Sequence, residues 1–175
     1  STGGLIGNED LLKQAEEKGC RVYIPSGALC GIDGVKAAKL GEIRNATLTT
    51  RKPPKSLAGA PYLVKNKIDL SRIERETVLF EGTVEEAVEA FPQNINVAAT
   101  LSLAGIGPLK TRLRIITSPA YTTNSHEIEI EGDFGRLWTK TDNLPSVQNP
   151  KTSYLAVLSA IATLKGVMES LKLGT

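Results

Sequence analysis

Three consecutive runs of alternating apolar and polar residues in the second half of the chain constrain its fold most strongly. The runs are Thr111 to Ser118, Ser125 to Glu131 and Phe134 to Thr141. Because successive side chains of a β-strand point to opposite faces of a sheet, such alternation is typical of strands with one buried face. Only Gly132 and Asp133 separate the last two runs, which predicts a tight hairpin. We therefore expect a mostly antiparallel sheet.

The amino-terminal part of the chain has a different order of elements. A helix-like stretch from Asn8 to Lys18 stops at Gly19, and the β-branched and aromatic run Cys20 to Ile24 then predicts a buried strand. A glycine-bearing turn, Pro25 to Gly31, leads into a second helix that ends near Leu40. This order is typical of the last unit of a doubly wound α/β domain, in which ligands bind at the carboxyl ends of the strands.

Between these regions, the sequence predicts strands and helices separated by one long loop. The loop is Lys52 to Arg75, which contains three prolines and alternating charges. The elements around it are strands at Ile43 to Arg51 and Thr77 to Gly82, a helix at Thr83 to Ala90 whose capping box is Thr83 with Glu86, and a buried helix at Asn96 to Ala104. Together with the hairpin, this predicts one α+β domain with an α/β fragment in front of it.

A long amphipathic helix is predicted to close the chain. Asn149 and Pro150 have the residue types preferred at a helix N-cap and at the first helical position. Apolar residues recur beyond them at helical spacing, at Leu155, Leu158, Ile161, Ala162, Leu164, Val167, Met168 and Leu171.

Charge and composition exclude several classes of protein. The net charge is only +2, and basic residues are interspersed with acidic ones, which argues against nucleic acid as a partner. No apolar run approaches the roughly 20 residues that span a bilayer, so we expect no membrane association and a cytoplasmic location. Cys20 and Cys30 are not in a CxxC pair and have no cluster of histidines, so neither a disulfide framework nor a metal site is expected.

Two features could carry chemistry. His126, the only histidine, begins a strand and titrates near neutrality, which suits an acid/base residue, although a lone histidine is more often a packed or surface residue. The turn Ser26 to Gly31 follows the predicted strand and opens a helix, where backbone N–H groups can face a phosphate or a nicotinamide; glycines that only form a turn are the alternative. The chain contains no GxGxxG fingerprint, so it does not hold a pyrophosphate in the usual way.

Three cationic side chains are candidates to bind a carboxylate: Arg51 and Lys52 at the end of a strand, and Lys151 in the predicted first turn of the last helix. A solvated charge is the alternative for each. Lys151 is unusual because a cation near a helix N-terminus opposes the helix dipole. Asn96 either caps its helix or offers its amide to a ligand.

Six segments, in order along the chain, carry a family resemblance: PSGALCGID at Pro25 to Asp33, TLTTRKPP at Thr47 to Pro54, VLFEGTVEEA at Val78 to Ala87, FPQNINVAATLSLAGIG at Phe91 to Gly107, NSHEIEIEGDFG at Asn124 to Gly135, and NPKTSYLAVLSAIATL at Asn149 to Leu164. Together they resemble the L-aspartate dehydrogenase family over nearly the whole chain.

This resemblance implies oxidation of L-aspartate with NAD or NADP to iminoaspartate, which yields oxaloacetate and ammonia or feeds NAD biosynthesis. By the same resemblance, His126 matches the active-site histidine, and Ala28 and Asn96 match positions that contact the nicotinamide cofactor. Thr100 and Asn124 lie in the same motifs and are weaker candidates for substrate contact, together with Lys52 and Lys151. A homodimer acting on a small-molecule substrate is implied.

The implied fold is an α+β catalytic domain with a mostly antiparallel open sheet and packed helices, preceded by the last part of a Rossmann domain. Residues 1–24 would be the end of that nucleotide-binding domain, 25–148 the catalytic and dimerisation domain, and 149–175 a closing helix that packs toward the nucleotide domain. The start at Ser1 suggests a piece of a longer protein. Two alternatives are a reductase of the dihydrodipicolinate reductase type and a non-catalytic binding or dimerisation module, which the missing glycine fingerprint favours.

Overall fold

A five-stranded sheet forms the centre of the computed structural model, which describes residues 2–149 and 152–173. Its strands are β1 (Ile43–Lys52), β2 (Thr77–Thr83), β3 (Arg112–Thr117), β4 (Asn124–Gly132) and β5 (Gly135–Asn143), in the order β2-β3-β1-β4-β5. Only β1 and β3 pair in parallel, and the other neighbours are antiparallel. This confirms the expected mostly antiparallel open sheet.

Helices lie beside the sheet, and those between residues 32 and 104 supply much of the remaining core. They are α1 (Asp10–Glu17), α2 (Ile32–Ala38), α3 (Pro61–Lys65), α4 (Val84–Ala90), α5 (Asn96–Ala104) and α6 (Tyr154–Met168), with short 3₁₀ turns at Thr2–Leu5, Pro54–Ser56 and Leu70–Arg72. One face of the sheet, here called the packed face, places Leu48, Ile128 and Ile130 in a core that includes Val35 of α2 and Leu101 of α5. The opposite, open face carries charged residues. No helix in the described ranges is long and apolar enough to cross a membrane.

Two local predictions are confirmed in detail. At the start of α4, the Thr83 N–H donates to Glu86 Oε2 (2.7 Å) and the Glu86 N–H donates to Thr83 Oγ1 (3.2 Å), which completes the capping box. The hairpin between β4 and β5 pairs Gly132 with Gly135. A Cβ atom at Gly132 would lie only 2.2 Å from the carbonyl oxygen of Glu42, so the close approach of the chain just before β1 requires glycine there.

The predicted strand Cys20 to Ile24 is wrong. These residues form no regular secondary structure, and Val22 and Tyr23 are half exposed. A run of β-branched and aromatic residues becomes a strand only where another strand accepts its hydrogen bonds, and none of the described strands pairs with this segment.

The stretch Lys52 to Arg75 is not the loop that its prolines suggested. It contains α3 and two of the 3₁₀ turns, and Pro61 occupies the first position of α3, where a missing N–H costs nothing. Tyr62 of α3 packs against Phe80 and Phe91, with ring centroids 5.5 and 5.3 Å away. This aromatic cluster holds the segment on the core.

The last helix begins later than predicted and is not amphipathic. Its N-cap is Ser153, not Asn149, because Ser153 bridges to Pro145 and the Ser146 N–H donates to the Thr152 carbonyl, which keeps this stretch extended. Pro150 lies outside the described residues. Apolar side chains surround most of α6, none is fully buried, and Leu164 is 66% exposed.

Candidate active site

Polar residues interrupt the packed face of the sheet at one end. On β1, the buried Leu48 is followed on the same face by Thr50 and Lys52, and on β4 the buried Ile128 is preceded by His126. The register pairs Thr50 with His126, so the two β-strands bring these polar side chains together. The packed face is therefore apolar in the middle of these strands and polar at one end, where a polar cluster forms.

His126 is the centre of this cluster. Its side chain is only 4% exposed, and Nδ1 lies 3.1 Å from the Thr50 hydroxyl oxygen. Burial, and then the charge of Lys52, lowers the pKa of His126 to about 3. The imidazole is therefore neutral at physiological pH and able to accept a proton. Nε2 is the ring nitrogen that Thr50 does not use.

Lys52 is a buried cation beside this histidine. It is 9% exposed, and its ammonium donates a hydrogen bond of 2.8 Å to Asn94 Oδ1. Burial lowers the pKa of Lys52 to about 8. Among the ion pairs formed within residues 2–149 and 152–173, none involves Lys52. A buried ammonium with a neutral partner is costly and favours an incoming anion.

The glycine-bearing turn lies against β5, the neighbour of the histidine strand. The Ala28 carbonyl accepts hydrogen bonds from Thr141 Oγ1 (2.8 Å) and Asn143 Nδ2 (3.3 Å). The Thr139 hydroxyl donates to the Cys30 carbonyl (3.0 Å). The structure thus brings Ala28 to the same end of the sheet as His126.

The other predicted site residues have mixed positions. Asn96 is exposed and does not cap α5, because Ile95 is the N-cap; Asn96 Oδ1 instead accepts from the Gly3 N–H (3.0 Å). Thr100 is buried and donates to the Asn96 carbonyl (3.0 Å). Asn124 lies opposite Asn143 in the register, at the end of the sheet that carries His126. Lys151 lies outside the described residues.

Arg51 does not join the cluster. It immediately precedes Lys52 and therefore points to the open face, where its guanidinium pairs with Glu127 at 2.9 Å. Glu129 and Glu131 lie on the same face and pair with Arg136. These glutamates form a salt-bridged surface on the open face rather than a pair of catalytic acids.

Sequence reasoning missed the residues that hold the cluster together. They are Thr50, Asn94, Thr117, Thr141 and Asn143; the Thr117 hydroxyl donates to the Lys52 carbonyl at 2.8 Å. The available signal was spacing by two: Thr50 with Lys52 on one strand, and Thr141 with Asn143 on another, each pair sharing a face.

Two grooves lie apart from His126. The larger, about 1340 Å³, runs between residues 21–36 and the second half of α6 and its following residues. A smaller groove of about 450 Å³ is lined by Ile24, Ile32 and Thr100. His126 lines neither of them. Val22 and Ile24 line both grooves.

Comparisons with known proteins agree with this architecture. Residues 33–167 match the sequence model of the family described as aspartate dehydrogenase, C-terminal. The L-aspartate dehydrogenase of Methanosarcina mazei is 55% identical over 95% of this chain, and that of Methanosarcina barkeri is 54% identical over 98%. The crystal structure of aspartate dehydrogenase from Thermotoga maritima covers 99% of this chain with a TM-score of 0.79 and 32% identity.

The chain forms an α+β domain with a buried polar cluster at one end of its sheet. The chain belongs to the aspartate dehydrogenase C-terminal family. It spans 62% and 65% of the lengths of the two Methanosarcina relatives, and 66% of the Thermotoga chain.

Proposed function

We propose that this chain is the catalytic part of an L-aspartate dehydrogenase that uses NAD or NADP. The observation that carries the proposal is the buried Lys52, whose ammonium has a neutral hydrogen-bond partner beside a neutral His126. Such a pair suits an anionic substrate from which a proton must be removed. The relatives named L-aspartate dehydrogenase support the dicarboxylate aspartate as this substrate.

The proposal includes the domain organisation that the family resemblance implies. Residues 1–24 would end a Rossmann domain, 25–148 would form the catalytic and dimerisation domain, and 149–175 would pack toward the nucleotide domain. The exposed apolar surface of α6 and the half-exposed Val22 and Tyr23 support this arrangement, because such a surface favours burial against another domain. The proposal also includes a cytoplasmic location, assembly as a homodimer, and a product that feeds NAD biosynthesis.

The turn after residue 25 fits the nicotinamide end of the cofactor. Its backbone is held against β5, with Ala28 and Cys30 both anchored through their carbonyls, and Gly31 adopts a positive φ of 82°. Asn96 is exposed and keeps its amide nitrogen for a ligand, because only Oδ1 is engaged by Gly3. The chain contains no GxGxxG, so we assign the pyrophosphate to a glycine-rich segment other than those here.

The chemistry divides between the cofactor and this cluster. When bound, the nicotinamide accepts the hydride that leaves Cα of aspartate. Lys52 would bind a substrate carboxylate, and Nε2 of His126 would accept the proton that the substrate ammonium releases. His126 would then release this proton to solvent, and the neutral imidazole would take a proton from the water that adds to the iminium carbon. Transfer of that proton to nitrogen breaks the C–N bond, so that ammonium is released and oxaloacetate remains.

Substrate binding would also tune the histidine. Burial, and then the charge of Lys52, lowers the pKa of His126; a carboxylate beside Lys52 would offset the second of these causes and so raise this pKa. His126 is then a stronger base at the moment when the proton is released. Thr50 fixes the imidazole through Nδ1, so that Nε2 is left for this transfer.

The test is NADH or NADPH oxidation driven by oxaloacetate and ammonia, with aspartate oxidation as the reverse assay, in the complete protein. His126→Gln should lower kcat by about 10² to 10⁴, the usual contribution of a general acid/base. The matched control is the neighbouring Glu127→Gln on the open face, which should stay within about twofold of the wild type.

Each other outcome identifies an alternative. Equal turnover by His126→Gln and the wild type would refute the role of the histidine. A wild type that is inactive with aspartate but reduces a cyclic imine dicarboxylate would replace the aspartate assignment by a reductase. Absence of activity with either substrate would favour the non-catalytic module.

A further inference from the structure

Strand β5 makes an unusual set of contacts with the turn that contains Ala28. Thr139, Thr141 and Asn143 occupy alternate positions and therefore share one face of the strand. All three side chains donate hydrogen bonds to the turn: Thr139 to the Cys30 carbonyl, and Thr141 and Asn143 to the Ala28 carbonyl. We call these three residues the β5 clamp.

The hydrogen bonds of the clamp are mutually consistent. The Asn143 amide nitrogen has two protons, one directed to the Ala28 carbonyl (3.3 Å) and one to the Thr141 hydroxyl oxygen (3.0 Å). The Thr141 hydroxyl accepts that second bond and gives its own proton to the Ala28 carbonyl (2.8 Å). Ala28 is 2% exposed and Asn143 3%, so water does not compete for these groups.

Close packing reinforces these bonds. A Cβ atom at Gly31 would lie 2.8 Å from Thr139 Cγ2, and one at Gly34 would lie 2.6 Å from Leu137 Cδ1. Both glycines therefore let the turn and the start of α2 approach β5 more closely than residues with side chains would.

The same strand is paired with the strand of the histidine. Thr141 lies directly opposite His126 in the register, and its hydroxyl oxygen is 3.4 Å from the His126 carbonyl oxygen. Thr141 is thus the one side chain of the clamp that contacts both the turn and the backbone of His126. Thr141 therefore links the turn to the strand that carries His126.

From this geometry we propose that Thr141 and Asn143 are positioning residues, which set the distance between the nicotinamide-binding turn and His126. This inference rests on the proposed function. In this proposal the two side chains act through the Ala28 carbonyl, to which both donate. Hydride transfer depends steeply on the alignment of the reacting atoms, so a loosened turn should slow this step more than it weakens substrate binding.

The experiment compares Thr141→Val, which keeps the shape but removes the hydroxyl, with Thr141→Ser, which keeps the hydroxyl. In the complete protein, Thr141→Val should lower kcat/KM for the nucleotide by about tenfold, and Thr141→Ser should restore most of it. The deuterium isotope effect with aspartate labelled at Cα should increase in Thr141→Val, because hydride transfer becomes more rate-limiting. KM for aspartate should change less than KM for the nucleotide.

Two further measurements keep the outcomes distinct. Thr47→Val, on the opposite face of β1, controls for the general cost of removing a threonine hydroxyl, and NADH titration reports nucleotide binding without turnover. If Thr141→Val and Thr141→Ser had the same kcat/KM and the same isotope effect, the proposed positioning role of Thr141 would be refuted.

A wild type that binds NADH but does not oxidise aspartate would refute the proposed function. The positioning role of the clamp would then be tested by whether Thr141→Val weakens NADH binding. A wild type that does not bind NADH would overturn both.

Discussion

Arg51 and Lys52 are neighbours on β1, but they lie on opposite faces of the sheet and in opposite electrostatic situations. Arg51 is partly exposed on the open face and paired with Glu127 at 2.9 Å. Lys52 is buried on the packed face with Asn94 as its neutral partner, and burial lowers its pKa to about 8. A paired surface charge costs little to keep, whereas a buried unpaired charge persists where a function requires it.

The same contrast runs along the packed face itself. Its middle is apolar, with Leu48, Ile128 and Ile130 almost fully buried, and its end is polar, with Thr50 and His126 also buried. The apolar part stabilises the fold through burial, and the polar end lowers stability unless each group has a partner. The two parts should therefore respond differently to substitution and to pH.

The largest expected difference concerns acid stability. Because the folded-state pKa of His126 is lowered from 6.5 to about 3, the unfolded chain binds a proton more readily than the folded one. Stability is thus lost as the pH falls from about 6.5 toward 3, by about 5 kcal/mol for this one group. His126→Gln removes this contribution, so the urea midpoint should fall less between pH 7 and pH 4.5 than in the wild type. Parallel losses in both proteins would contradict the lowered pKa.

Local patterns were predictable, but partnerships between distant segments were not. The capping box of Thr83 and Glu86 and the hairpin after Gly132 depend on residues close in sequence, and both are confirmed. The bond between Thr50 and His126 joins positions 76 residues apart and depends on strand register, which alternation does not specify.

The wrong predictions have the same origin. Cys20 to Ile24 has strand-forming residues but no partner strand among those described. Of the two roles open to Asn96, capping does not occur, because Ile95 is the N-cap and the Gly3 N–H donates to Asn96 Oδ1. Propensity describes what a segment can form, and tertiary contacts decide among the possibilities. His126 could be selected as a candidate because it is the only histidine, but its burial beside Lys52 required the fold.

A smaller difference in the free energy of unfolding is expected between substitutions in the apolar part of the packed face and substitutions on the open face. Ile128→Ala should lower the free energy of unfolding by about 2 to 5 kcal/mol, because the removed methyl groups leave a cavity in the core. The adjacent Glu129→Ala should cost about 0 to 1 kcal/mol, since its salt bridge with Arg136 is exposed. Chemical denaturation of the two variants measures the difference. Similar losses would show that the open face is also buried, for instance against a partner subunit.

The smallest expected effect is on the pH dependence of kcat/KM, which should change when Lys52 is replaced but not when Arg51 is replaced. Since kcat/KM reports the free enzyme, kcat/KM for aspartate should fall about tenfold per pH unit above the Lys52 pKa of about 8, as the ammonium that binds the carboxylate loses its proton. Lys52→Arg keeps a charge that does not titrate in this range, so its profile should extend to higher pH. Titration of the substrate amine would affect both proteins equally, so it cannot cause a difference between their pH profiles. Arg51→Gln should leave the profile of the wild type unchanged, because Arg51 faces Glu127 on the other side of the sheet. A profile of Lys52→Arg that still bends near pH 8 would assign the titration to another group and remove Lys52 from the carboxylate site.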